Sequence, residues 1–101
     1  IIKLADTGII EGINIQTHHF KGNYPADFTI QGALINANVS VAKLINHSQK
    51  WQSLIIKTKL KPNNDLKIDK LSSKIKKVNY IKLNIFPDGG ISRLRVYGKI
   101  L

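Results

Sequence analysis

A chain of 101 residues with 43% hydrophobic content and no cysteine makes one domain at most, with a core that needs neither disulfides nor a thiolate zinc site. Sixteen basic residues against six acidic give +10 at pH 7, a balance that taken alone points to nucleic acid or an anionic membrane surface. Fourteen of the sixteen are lysine and nine of those fall between Lys57 and Lys82, which reads as a solvated surface.

The dominant period along the chain is two. Ile9 to Thr17 is the first predicted strand and Phe28 to Leu34 the second, each rich in β-branched or aromatic residues between turn signals. Gly22-Asn23-Tyr24-Pro25 separates them with residues suited to tight reversal. Ser40 to Lys50 reads as a short helix or an irregular connection into Trp51, and Leu54 to Leu60 as a third strand. A turn follows at Lys61-Pro62-Asn63-Asn64-Asp65, and Leu66 to Ile75 has weak helical spacing. Val78 to Phe86 is predicted as a strand with Ile81, Leu83 and Ile85 on one face and Lys82 and Asn84 on the other. Pro87-Asp88-Gly89-Gly90 is expected to join it as a hairpin to the strand Ile91 to Ile100, in which Leu94 and Val96 face one way and Arg93, Arg95 and Tyr97 the other. Short strands with turns between them predict an all-β antiparallel sandwich or jelly roll, since an α/β fold would need long helices between strands.

Several function classes are excluded or weakened by residue type. Glu11 is the single glutamate and the aspartates are scattered, which argues against a glycosidase carboxylate pair. No Walker loop, G-x-S-x-G or H-E-x-x-H occurs. His18 and His19 are neighbours, so on a strand they point to opposite faces and make a poor metal pair. At most His19 and Asp88 would contribute to a metal site, and the cofactor question stays open. Nucleic acid is disfavoured because the aromatics are not interleaved with the lysines. No apolar run exceeds four residues, short of the roughly 20 needed for a membrane-spanning helix.

Three features can carry chemistry. Thr17 to Pro25 places an imidazole, an ammonium and an amide at a strand end, alongside the plainer reading of a surface loop. Pro87 to Gly90 is a turn whose glycine pair also lets a ligand approach. Arg93 and Arg95 share a face and offer forked donors to a carboxylate, unless Asp88 or Asp27 pairs with them across strands.

These same residues carry a family resemblance. Ile13 to Ala33 (INIQTHHFKGNYPADFTIQGA) and Tyr80 to Gly98 (YIKLNIFPDGGISRLRVYG) resemble the two signature blocks of an allantoicase repeat, from the ureide-degrading enzyme of purine catabolism. Trp51-Gln52-Ser53-Leu54, with Lys57-Thr58-Lys59-Leu60 after it, looks like that family's link between the blocks. The resemblance implies a jelly roll of the galactose-binding-like type, two repeats per subunit, assembly into homo-oligomers and hydrolysis of allantoate to ureidoglycolate and urea. It is read as a cytoplasmic enzyme acting on a small ureide, without nucleic acid or membrane partners. On the matched positions His19 and Asp88 are the expected catalytic residues, and Asn23, Lys21, Arg93 and Arg95 the expected substrate-binding ones. Gln16 stands where the family usually carries an aspartate, and His18 replaces a small or polar residue. The chain holds one repeat over 1–101 and is expected to lack that repeat's N-terminal strands, so activity alone is not expected of it. A noncatalytic ligand-binding jelly roll derived from the family is the alternative.

Overall fold

Long alternating segments become strands in the computed structural model, which describes residues 1–18, 26–36, 38–62, 64–69, 77–87 and 89–100. The elements follow as β1 (Ile2–Gln16), β2 (Asp27–Ala33), α1 (Val41–Ser48), β3 (Gln52–Lys59), β4 (Asp65–Ile68), β5 (Lys77–Phe86) and β6 (Arg93–Ile100). All strand pairs are antiparallel, in the order β3-β2-β5-β1-β4, with β6 added on β1.

β1 begins seven residues before the predicted strand. Its first residues pair with β5, Ile2 opposite Ile81 and Lys3 opposite Tyr80, and a register shift absorbs the polar stretch before Gly8 pairs with Val78. That stretch, Ala5-Asp6-Thr7, interrupts the apolar alternation by which strands are read from sequence. Farther on, β1 has β4 on the edge used by β5 and β6 on the opposite edge, since Asn14 opposes both Lys67 and Arg95. One long strand thus runs from the β3-β2-β5 part of the sheet into the β4-β1-β6 part, and the sheet curls over a single core.

That core takes Ile10, Ile13 and Ile15 from β1, Phe28 and Ile30 from β2, Leu54 and Ile55 from β3, and Val78 and Ile81 from β5. Leu83, Ile85, Leu94 and Val96 pack against it, on the faces predicted for them. Burial of each such side chain stabilises the fold by about 1.5–3 kcal/mol before chain entropy is counted. Gly32 of β2, between β3 and β5, leaves room for the core: a Cβ there would stand 2.7 Å from Leu54 Cδ1 and 3.0 Å from Val78 Cγ1, so those side chains would have to shift.

Ser40 to Lys50 resolves as the helix. Ser40 caps α1 by accepting from the Lys43 amide at 3.2 Å. The far end is tied to the outer face of β2 and β5: Lys82 Nζ donates to the buried Ser48 Oγ at 2.9 Å, and Gln31 Nε2 to the Trp51 carbonyl at 3.0 Å. Trp51 then packs against Tyr80 with ring centroids 6.1 Å apart.

Two expectations are corrected. The helical spacing after Asp65 gives way to β4, because Leu66 and Ile68 alternate inward opposite Ile15 and Ile13; residues 70–76 lie outside the described residues. β5 and β6 do not form a hairpin. The edges of β5 are held by β2 and β1, so β6 pairs instead with the far edge of β1.

Candidate functional site

Directly opposed residues of an antiparallel ladder point to the same face. Ile13 and Ile15 of β1 point into the core, so Asn14 and Gln16 point outward. Gln16 lies between Asp65 of β4 and Arg93 of β6, and Asn14 between Lys67 and Arg95. Two rows of three polar side chains therefore stand side by side across three strands. The next position along β1 is Gly12, opposite Tyr97. A Cβ on Gly12 would lie 2.9 Å from the Ile68 carbonyl oxygen and 3.5 Å from Asp69 Oδ1, so the backbone at the end of β4 closes over the strand there.

The floor of this trough is organised by hydrogen bonds. Asn14 is buried, yet its Nδ2 donates to Asp65 Oδ1 and, at 3.2 Å, to the Leu66 carbonyl. Gln16 Nε2 donates to Asn14 Oδ1 at 3.1 Å and to Asp65 Oδ2 at 3.3 Å. A buried amide needs such partners, and here they hold the Asp65 carboxylate against the β1 floor. The walls are open: Asp65 and Lys67 on one side and Arg93 and Arg95 on the other are exposed.

Both ends of the sequence blocks meet at the end of β1. Ser92 donates to the Gln16 carbonyl through its amide at 2.9 Å and its hydroxyl at 3.0 Å. On the other side the buried Thr17 donates through Oγ1 to the Lys61 carbonyl at 2.6 Å and accepts from the Asn64 amide at 3.0 Å. The turn before β4 and the segment before β6 are thereby clamped to the residues that precede His18.

Of the residues expected from sequence, Arg93 and Arg95 stand together on one exposed face, as predicted. Asp27 is not their partner, because it opposes Lys59 and Phe86 in the other part of the sheet. Neither arginine has an ion pair among the described residues. His19, Lys21, Asn23 and Asp88 lie outside the described residues. The sequence reading missed Asn14 and Asp65: the first looks like the polar half of an alternating strand, the second like the last residue of a turn. Among the described residues no group of three or more His, Cys, Asp or Glu is placed to hold a metal ion. A separate cleft bounded by Gly32, Lys50, Trp51 and Lys77 has cations and an indole but no carboxylate or imidazole, so it offers less to an acid–base reaction.

The model of the allantoicase repeat matches residues 1–101. The chain belongs to the allantoicase family. It is 38% identical over 100 residues to a probable allantoicase of Pseudomonas syringae pv. syringae and 37% identical over 101 residues to one of Stutzerimonas stutzeri, covering 99% and 100% of this chain. It spans about 30% of the length of those relatives. Among solved structures, allantoicase from Saccharomyces cerevisiae superposes with a TM-score of 0.71 at 32% identity, over 93% of this chain and 24% of that one. A second allantoicase structure gives 0.70. The expected fold stands: the curled antiparallel sheet is an allantoicase jelly-roll sandwich. No helix among the described residues is long and apolar enough to cross a membrane.

Proposed function

We propose that this allantoicase repeat serves the hydrolysis of allantoate to ureidoglycolate and urea, as one repeat of a longer cytoplasmic enzyme. The observation that carries this reading is the family match over the whole chain together with two guanidiniums, on an exposed polar face, that have no ion pair among the described residues. Hydrolysis adds water across a carbon–nitrogen bond: the hydroxyl goes to carbon and a proton to the departing urea nitrogen. Arg93 and Arg95, with Lys21, receive the substrate carboxylate through charge-assisted hydrogen bonds. Asn23 and Asp88 receive the ureido groups, and His19, with Asp88, handles the proton.

A second repeat and further copies of the subunit complete the site in this reading. The exposed Val41, Ile45 and Ile56 support such contacts, since apolar side chains of this size are commonly covered in an assembly.

Urea release from allantoate by the full-length parent protein tests the proposal. Release above background is expected. A folded sample that releases none, but whose melting temperature rises with a ureide, would assign the family's noncatalytic alternative instead.

A further inference from the structure

The trough across β4, β1 and β6 carries opposite chemistry on its two walls. Arg93 and Arg95 stand on the β6 wall, while Asp65 stands on the β4 wall in the same row as Gln16 and Arg93. Neighbouring strands are about 4.8 Å apart, so the Asp65 and Arg93 backbones are separated by about 10 Å. Both side chains reach up from that baseline, which leaves room for one small ligand lying across β1.

Asp65 is not a loose surface carboxylate. Asn14 Nδ2 and Gln16 Nε2 both donate to it, and Asn14 is itself 2% exposed. These bonds use one lone pair on each oxygen, and an ionised carboxylate has about four acceptor sites. The remaining acceptors are on a side chain that is exposed and already oriented. Gln16 makes its bonds to Asn14 and Asp65 through Nε2, so its Oε1 accepts nothing among the described residues. Lys67, beside Asp65 on the same wall, opposes Arg95 across Asn14, so the second row is cationic at both ends. Acceptors concentrate at Asp65 and Gln16, and donors at Arg93, Arg95 and Lys67.

We infer that Asp65 is a substrate-binding residue, which with Gln16 Oε1 accepts the N–H groups of a ureido moiety whose carboxylate is held by Arg93 and Arg95. This rests on the reading of the chain as a ureide-handling repeat, and adds to it the residue that tells a ureido acid from a plain carboxylate. A planar N–H pair facing a carboxylate matches the bidentate geometry that carboxylates accept.

The test uses the full-length parent protein with three probes: N-carbamoylglycine, which carries both groups, acetate, which carries only the carboxylate, and urea, which carries only the N–H donors. Binding is followed by ligand-observed NMR titration for the wild type and for Asp65→Asn, Asp65→Ala and Arg93→Ala. Asp65→Asn keeps an acceptor oxygen for Asn14 but gives up the bond from Gln16 Nε2, because an amide nitrogen cannot accept. Both Asp65 variants should weaken N-carbamoylglycine by roughly tenfold or more while leaving acetate unchanged, and Arg93→Ala should weaken both. Wild-type affinity for N-carbamoylglycine in the Asp65 variants overturns the inference, as does an equal loss for acetate, which marks a structural role. Urea release from allantoate in the same samples separates the two readings. Asp65-dependent binding without release removes hydrolysis and keeps the inference; release with Asp65-independent binding does the reverse.

Discussion

Ser92 holds the backbone carbonyl of Gln16 with two donors, its amide at 2.9 Å and its hydroxyl at 3.0 Å. The contact joins residues 76 positions apart, one from each signature block, and it sets where β6 begins against β1. Arg93 follows immediately and is therefore placed opposite Gln16. The geometry of the arginine face depends on this junction.

Replacing Arg93 or Arg95 with alanine in the full-length parent protein should raise the KM for allantoate by roughly 10- to 100-fold, the range set by loss of a hydrogen bond between charged groups. Lysine should not restore the affinity, because an ammonium lacks the planar fork of donors. Steady-state urea release checks both statements. Unchanged kinetics in both alanine variants would move the carboxylate site elsewhere.

Thr17→Val should destabilise the fold by about 1–3 kcal/mol, because the Lys61 carbonyl and the Asn64 amide each lose a partner beside a buried side chain. Thr17→Ser keeps the hydroxyl and should recover most of that loss. Urea denaturation midpoints of the two variants, compared with the wild type, decide it.

Gly98→Ala should cost about 1–3 kcal/mol through overpacking. A Cβ at this position would collide with the Ile9 carbonyl of the paired strand, which is backbone and cannot swing aside. Because β6 carries the arginines, substrate affinity should fall together with the melting temperature. A variant as stable as the wild type would show that β6 can shift away from β1.

Phe28→Ala removes a ring with no solvent exposure from the centre of the core and should destabilise by about 3–5 kcal/mol. Thermal unfolding measured by circular dichroism gives the comparison. A loss under about 1 kcal/mol would mean that the core collapses around the cavity far more freely than close packing allows.

The lysine excess should give no tight nucleic-acid binding. Lys57 sits over the Phe86 ring at 4.9 Å, Lys82 is engaged with Ser48, and Lys67 belongs to the β4 wall. They lie on three different strands and two of them are engaged with a ring or a hydroxyl, so an oligonucleotide probe should show no salt-dependent shift at micromolar protein.

Much of the fold was legible in residue order because the relevant rule is local. Successive strand residues alternate faces, so Ile81, Leu83 and Ile85 could be assigned to the core and Arg93 and Arg95 to solvent without knowing their neighbours. The family was legible differently, from the resemblance of two whole blocks, Ile13 to Ala33 and Tyr80 to Gly98. Asp65 was not legible as a site residue, because four short residues of β4 carry too little alternation to distinguish a strand from a turn or helix. Asn14 was equally hidden: an outward-facing asparagine on a central strand is buried only when its neighbours' side chains close over it.

The sequence by itself determined the strand-rich class, the faces of β5 and β6, the guanidinium pair and the family they belong to. The first three follow from alternation or from residue identity, which act over a few positions, and the family from the resemblance of two long blocks. Tertiary structure decided which strands meet: β6 against β1 rather than β5, and β4 against the other edge of β1. Edge pairing depends on which edges are already occupied and on burying both apolar faces in one core, so it is settled only when the whole chain closes. That closure brings Asp65, Gln16 and Arg93 into one row.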